Sequence, residues 1–145
     1  MAGKCAYPRR YRMGRVDPGS LTVYDRTMED SAEFIAALLH SGTVAHFMHL
    51  SAKTLSVHEA LNDYYHEIID LVDEYAEAAM GRYEQIEKWP EEFHSAKEPV
   101  EYLQNMATFI EEARKQLPQD TELQNIIDEI ADLVNSTLYK LRFLK

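Results

Sequence analysis

Apolar residues recur along most of this chain at spacings of three and four, the period of an amphipathic α-helix, and the pattern divides into four segments. In the first, Ile35, Leu38, Leu39, Gly42, Ala45, His46 and His49 share one face. Asp30 followed by Glu33 reads as an N-cap with its capping box, so helix A is expected near residues 30–52. Ser51-Ala52-Lys53-Thr54 breaks the pattern, and Ser56 is the expected cap of helix B. Leu61, Tyr65, Ile68, Val72, Ala76 and Ala79 then carry an apolar stripe to about residue 82. Residues 83–97, with Trp89-Pro90, lose the period and read as an irregular connection. Pro99 suits the first turn of helix C, which carries Leu103, Met106, Ile110 and Ala113 to about Leu117. After the turn at Pro118-Gln119-Asp120, helix D places Leu123, Ile126, Ile127, Ile130, Leu133, Val134, Leu138 and Leu141 on its buried side.

Four helices of this size are each roughly 30–40 Å long. The A–B and C–D connections are short and predict antiparallel hairpins. The B–C connection could span roughly 50 Å if extended, enough to run back along the helices and set B and C parallel. The expected fold is therefore all-α: a ferritin-like four-helix bundle with one long crossover.

Residues 1–27 have no helical period and hold Pro8, Gly14, Pro18 and Gly19, so they read as an extended arm ahead of a bundle domain at 28–145. Charge separates the same two parts. Residues 1–26 hold six basic and two acidic side chains, a net +4, whereas residues 27–145 hold nine basic and 23 acidic ones, a net −14. The bundle should repel nucleic acid, and the arm alone could attract it. Lys4, Arg9, Arg10, Arg12 and Arg15, interleaved with Tyr7 and Tyr11, are the candidate contacts to phosphates or to a partner protein. No run of eighteen apolar residues exists, so no membrane span is expected, and the basic N-terminus lacks the apolar segment of a secretory signal. Cys5 is the single cysteine, which excludes an internal disulfide and fits a reducing, cytoplasmic setting or the inside of an assembled particle.

Candidate chemistry concentrates on helices A and B. His46 and His58 lie twelve residues apart across the break, and Asp73 and Glu77 lie one turn apart further along helix B. Two imidazoles and two carboxylates make a mixed N/O set suited to ferrous iron, zinc or manganese. At about 100° per residue, His58, Asn62, Asp73, His66 and Glu77 fall within about 100° of one another on a shoulder beside the apolar stripe. His46 lies within helix A's apolar face, with His49 about 60° to one side. Taken singly, a helical carboxylate is usually a solvated charge and a histidine in an apolar stripe a hydrogen-bonded core residue. The usual di-iron pattern of one bundle needs carboxylate-x-x-His pairs on two helices. Asp63-x-x-His66 and Glu91-x-x-His94 match it only loosely, and helices C and D have no histidine.

The stretch AHFMHLSAKTLSVHEALNDYYHEIIDLVDEYAEAAMG, residues 45–81, resembles the ferroxidase segment of the Dps mini-ferritins, the ferritin-like DNA-binding proteins of starved cells. Asp120-Thr121 and the closing Leu138–Leu144 stretch extend the resemblance over roughly residues 28–145. It implies a homo-oligomer of twelve subunits with iron bound between them. His46 and His58 of one subunit would face Asp73 and Glu77 of a two-fold partner, with Asn62, His66 and His49 as weaker contributors. It also implies ferroxidase activity, with peroxide or dioxygen taking the electrons, and iron storage or peroxide protection as the outcome. Tyr65 and Glu74 match residues common in the family. Asn62 stands where the family has an Asp ligand, Phe47 where it has Trp, Ser51 where it has a loop Gly, and Ala78 where Arg often occurs. The basic arm, with Tyr7 and Tyr11 among the arginines, and the Asn62 change favour a second reading, a non-catalytic ferritin-like assembly protein, such as a component of a virus particle or nucleic-acid complex, with a degenerate metal site.

Overall fold

The computed structural model describes the backbone of residues 23–145 and the side chains from residue 26 onward. The expectations for the arm, from Cys5 to the cluster Lys4, Arg9, Arg10, Arg12 and Arg15, fall outside the described residues. Four helices are present and no strand among the described residues: α1 Val23–Leu50, α2 Leu55–Arg82, α3 Pro99–Ala113 and α4 Thr121–Phe143. Three of the four expected helix starts hold within a few residues. The start of α1 does not. It begins at Val23, so Asp30 and Glu33 lie inside a helix and residues 23–27 belong to α1 rather than to the arm. The cause is Met28, which is buried and extends the stripe of Ala32 and Ile35 by one turn, through a stretch with no Gly or Pro to stop it. The cap of α2 is also displaced: Thr54, with extended backbone angles, accepts the Val57 N–H at 3.4 Å, the role expected of Ser56.

Helix order around the core is α1, α2, α4, α3, each packing on the next and α3 closing the ring on α1. The backbones of α1 and α4, and of α2 and α3, nowhere approach within 8 Å (Cα–Cα) among the described residues, so these pairs lie across the diagonals. Side-chain contacts fix the directions. Ser31 meets Tyr75, Ser41 meets Tyr64 and His49 meets His58, so α1 and α2 are antiparallel. Arg82 meets Asp120 and Asp63 meets Lys140, so α2 and α4 are antiparallel too. A short connection turns α3 back along α4, leaving α2 and α3 parallel. The 83–98 connection therefore crosses the bundle. It buries Ile86 and lays Phe93 edge-on against His40 of α1, ring centroids 5.4 Å apart.

Leu61, Ile68, Leu103, Met106, Ile110, Leu123, Ile127 and Ile130 fill the centre. Two tyrosines of α2 reach into α1 because α1 offers small hydroxyl residues opposite them. Tyr64 hydrogen-bonds Ser41 at 2.7 Å and Tyr75 hydrogen-bonds Ser31 at 3.2 Å, which keeps buried phenols from being left unpaired. Burial pushes the Tyr75 hydroxyl up to about 12, so it stays neutral and available as a donor. Gly42 permits the close approach at mid-hairpin, where a Cβ would stand 3.3 Å from Ile68 Cγ2.

Candidate metal centre

The break between α1 and α2 brings four histidines to one end of the bundle, with Tyr65 among them. His49 and His58 stack with ring centroids 3.6 Å apart. Each ring's Nδ1 lies against the other residue's carbonyl: His49 Nδ1 donates to His58 O at 2.7 Å, and His58 Nδ1 donates to His49 O at 3.0 Å. A carbonyl can only accept, so both Nδ1 atoms carry a proton, and the Nε2 atoms are the nitrogens left to offer a lone pair. His66 Nδ1 donates to Asn62 O at 2.8 Å and is set the same way. An imidazole held through one nitrogen by a carbonyl, with the other nitrogen's lone pair turned away, is the usual arrangement of a metal-ligating histidine. His46 stacks flat on Tyr65 at 4.1 Å, and Tyr65 tilts against His66 at 4.3 Å. Tyr65 also donates its hydroxyl to Asn62 Oδ1 at 3.1 Å.

The histidines differ in access. His49 is 7% exposed and knits α1 to α2, whereas His46 and His66 are exposed and His58 is half-buried. The sequence pointed to His49 as a minor contributor. In the fold it is the histidine that fixes the orientation of His58. Tyr65, noted in the sequence only as a family match, is the surface against which His46 and His66 are ordered. Its position gave one usable signal: it sits three residues after Asn62 and immediately before His66 on a half-buried shoulder.

Asp73 and Glu77 are not part of this cluster. They are exposed on α2, and Asp73 stands fifteen residues beyond His58, about 22 Å along the helix. They lie on the stripe that also carries His58, Asn62, His66 and Ile69, so the helix displays histidines at one end of a single line and carboxylates at the other. No group of three or more potential ligands comes within reach of one ion among the described residues. The loose alternatives fall apart as well. His66 and Asp63 are both exposed, but Asp63 binds Lys140 at 3.4 Å, and Glu91 and His94 lie on the connection rather than on a helix.

A second histidine environment sits beneath the crossover. His40 Nδ1 is buried with no hydrogen-bond partner, and burial, then the neighbouring His94, hold the His40 ring below its usual range. It is built to stay neutral.

At the opposite end of the bundle the chemistry is ionic. Arg82 binds Asp120 at 2.6 Å and Glu122 at 3.5 Å, and the Tyr83 hydroxyl makes a short hydrogen bond to Asp120. That hydrogen bond, then the Arg82 guanidinium, holds the Asp120 carboxyl below the usual carboxylate range. Asp120 caps α4 by position only, since its oxygens are spent on α2 and its end. No curated protein and no solved structure matches the chain. Residues 49–141, which span α2, α3, nearly all of α4 and the last two residues of α1, match the model of a family of unknown function (DUF5856), and the chain belongs to that family.

Proposed function

We propose that the protein is a Dps-like mini-ferritin that binds Fe(II) between subunits, oxidises it, and stores the iron or disarms peroxide. The observation that carries this reading is the single stripe on α2: histidines with preset Nε2 lone pairs at one end and Asp73 and Glu77 about 22 Å away at the other. Two copies of that stripe related by a two-fold axis bring each end against the other, because an isologous contact pairs residue i with j and j with i. The axis then passes at about residue 66–67, where the exposed Ile69 and, on α1, Leu39 supply apolar surface. The ring order with a diagonal crossover is the connectivity of ferritin-like bundles and supports the same reading.

In this site His46 and His58 of one copy, with Asp73 and Glu77 of the partner copy, hold Fe(II). The carboxylates favour the Fe(III) that forms as each iron gives one electron to peroxide or dioxygen. His49 positions His58 through the paired carbonyl bonds. Aerobic Fe(II) titration of the assembled protein, read as ferric absorbance, tests the reading. Oxidation should exceed the buffer rate, and His46→Ala or Glu77→Ala should each slow it by about tenfold or more. A wild-type rate equal to the buffer rate would sink the proposal.

Asn62 favours the second reading, a non-catalytic assembly protein. It is neutral, and its Oδ1 is occupied by Tyr65, so it supplies no charge for a second iron. Stoichiometric Fe(II) binding without faster oxidation would select this alternative.

A further inference from the structure

Six of the ten large apolar side chains exposed among the described residues gather at the histidine end: Phe47, Leu50, Leu55, Tyr139, Phe143 and Leu144. They come from the end of α1, the start of α2 and the end of α4. Contacts between the helices set their depth. His49 pairs with His58 and Lys140 with Asp63 across antiparallel helices, so Phe47 and Phe143 both stand level with about residue 60 of α2. Leu55 lies about 8 Å nearer the tip along the axis, and Leu50 and Leu144 fall between. Five of the six thus occupy a layer about 8 Å deep. Tyr139 stands behind them, its ring centroid 5.8 Å from that of Phe143.

Charge divides the molecule at the same level. Residues 46–59 and 139–145 hold Lys53, Lys140, Arg142 and Lys145 against Glu59, a net +3. The remainder of 27–145 holds five basic and 22 acidic side chains, a net −17. Lys140 is engaged with Asp63, whereas Lys53, Arg142 and Lys145 are exposed at the apolar end. The closing stretch YKLRFLK, residues 139–145, interleaves its cations with apolar side chains. The flank behind the tip is the reverse: between residues 59 and 77, α2 carries seven acidic side chains and no Lys or Arg.

We infer that the histidine end is a docking surface for an anionic lipid bilayer, which it meets end-on. Apolar side chains of a peripheral protein bury about 5–10 Å into the boundary between headgroups and acyl chains, the depth of the layer at this tip. Lys and Arg keep their charge among the headgroups while their stems lie along apolar surface. Each cation held near an anionic leaflet strengthens attachment about fivefold. The acidic flank of α2 is repelled by the same leaflet, so the end is the orientation in which attraction and apolar burial coincide. Because the apolar side chains come from three helix ends at a common level, they form an end face, which suits a flat partner better than a single inserted helix. Among the described residues no helix is long and apolar enough to cross a membrane, so the attachment is peripheral. It uses neither Asp73 nor Glu77 and requires no iron.

Flotation of the full chain with phosphatidylcholine vesicles, with and without phosphatidylserine, tests this. The wild type should float with the phosphatidylserine vesicles at low salt, stay behind with phosphatidylcholine alone, and be released as salt rises. The variant K53E/R142E/K145E should bind at least about tenfold more weakly. So should L55S/F143S, since both side chains are 70% exposed and their loss acts on the membrane contact rather than on the core. A reporter separates this end from basic residues elsewhere. In a Trp89→Phe background, Leu55→Trp should shift its emission to shorter wavelength on phosphatidylserine vesicles, whereas Trp89 of the wild type, on the crossover, should show no shift. Circular dichroism on each variant confirms that it is folded. A wild type that does not float at low salt, or flotation that K53E/R142E/K145E leaves unchanged, would overturn the inference. So would flotation without the Leu55→Trp shift, which would assign binding to the basic arm. A multimer in which Leu55→Trp emission is already shifted without vesicles would equally defeat it, assigning the apolar end to a second copy.

Discussion

The two ends of the bundle are fastened by opposite chemistry. At the Asp120 end, Arg82, Tyr83 and Glu122 converge on one carboxylate, and the charges there are largely satisfied within the chain. At the histidine end, His49 and His58 hydrogen-bond each other's backbone carbonyls with His49 itself buried, while His46, His66, cations and apolar side chains are exposed. One end closes the fold. The other is built with unspent chemistry, which is the pattern expected where a molecule meets a metal or another molecule.

The sharpest way to break this contrast is to hollow out each end. Leu61 is fully buried, three residues along α2 from His58, so Leu61→Ala should lower stability by about 2–5 kcal/mol in urea unfolding. His49→Phe keeps an aromatic ring but deletes one donor and leaves the His58 carbonyl without it. The loss should be about 1–3 kcal/mol, whereas the His58 ring, whose Nδ1 donates to the backbone carbonyl of residue 49, should keep its orientation, seen as an unchanged Fe(II) response. Asp120→Asn should lower the melting temperature by less than Leu61→Ala, with an effect that shrinks in high salt and no change in iron oxidation. If it altered oxidation, the two ends would not be independent.

Acid should separate the two chemistries again. The Asp120 carboxyl is held below its ordinary value, so its contribution is present above the unfolded value of 3.8 and is lost as pH falls through the folded one. His40 is held below 6.5 by burial, so below that pH the unfolded chain takes up the proton more readily and stability declines toward the folded value. His40→Phe should remove the loss between neutral and mildly acidic pH and leave the carboxylate-linked loss in place. Trp89, the single tryptophan and itself on the crossover, reports the change by fluorescence.

Much of this was legible from periodicity. The four helices, the Pro99 start and the long connection follow from apolar spacing and punctuation, because those are local properties of the chain. The start of α1 was not legible, since Asp30-x-x-Glu33 is a good cap in isolation and only the burial of Met28 in the assembled core overrides it. In the candidate site, the positions of His46, His58, Asp73 and Glu77 were readable as spacings. The reciprocal bonding of His49 and His58 was not, because it depends on how the two helix ends meet across the break. Nor did composition announce the cations at the histidine end: Lys53 and a cluster that begins at Lys140, 87 residues beyond it, are joined only by folding.

The central claim is that the metal site is divided between two copies, and subunit mixing tests it most directly. The double variant His46→Ala/His58→Ala lacks the imidazoles, and Asp73→Ala/Glu77→Ala lacks the carboxylates. Each alone should fail to oxidise Fe(II) above the buffer rate. In a mixed pair, one of the two sites combines the intact histidines of one copy with the intact carboxylates of the other. Random co-refolding should therefore recover about a quarter of the wild-type rate. A mixture as inactive as its two components, from a wild type that does oxidise iron, would contradict the divided site.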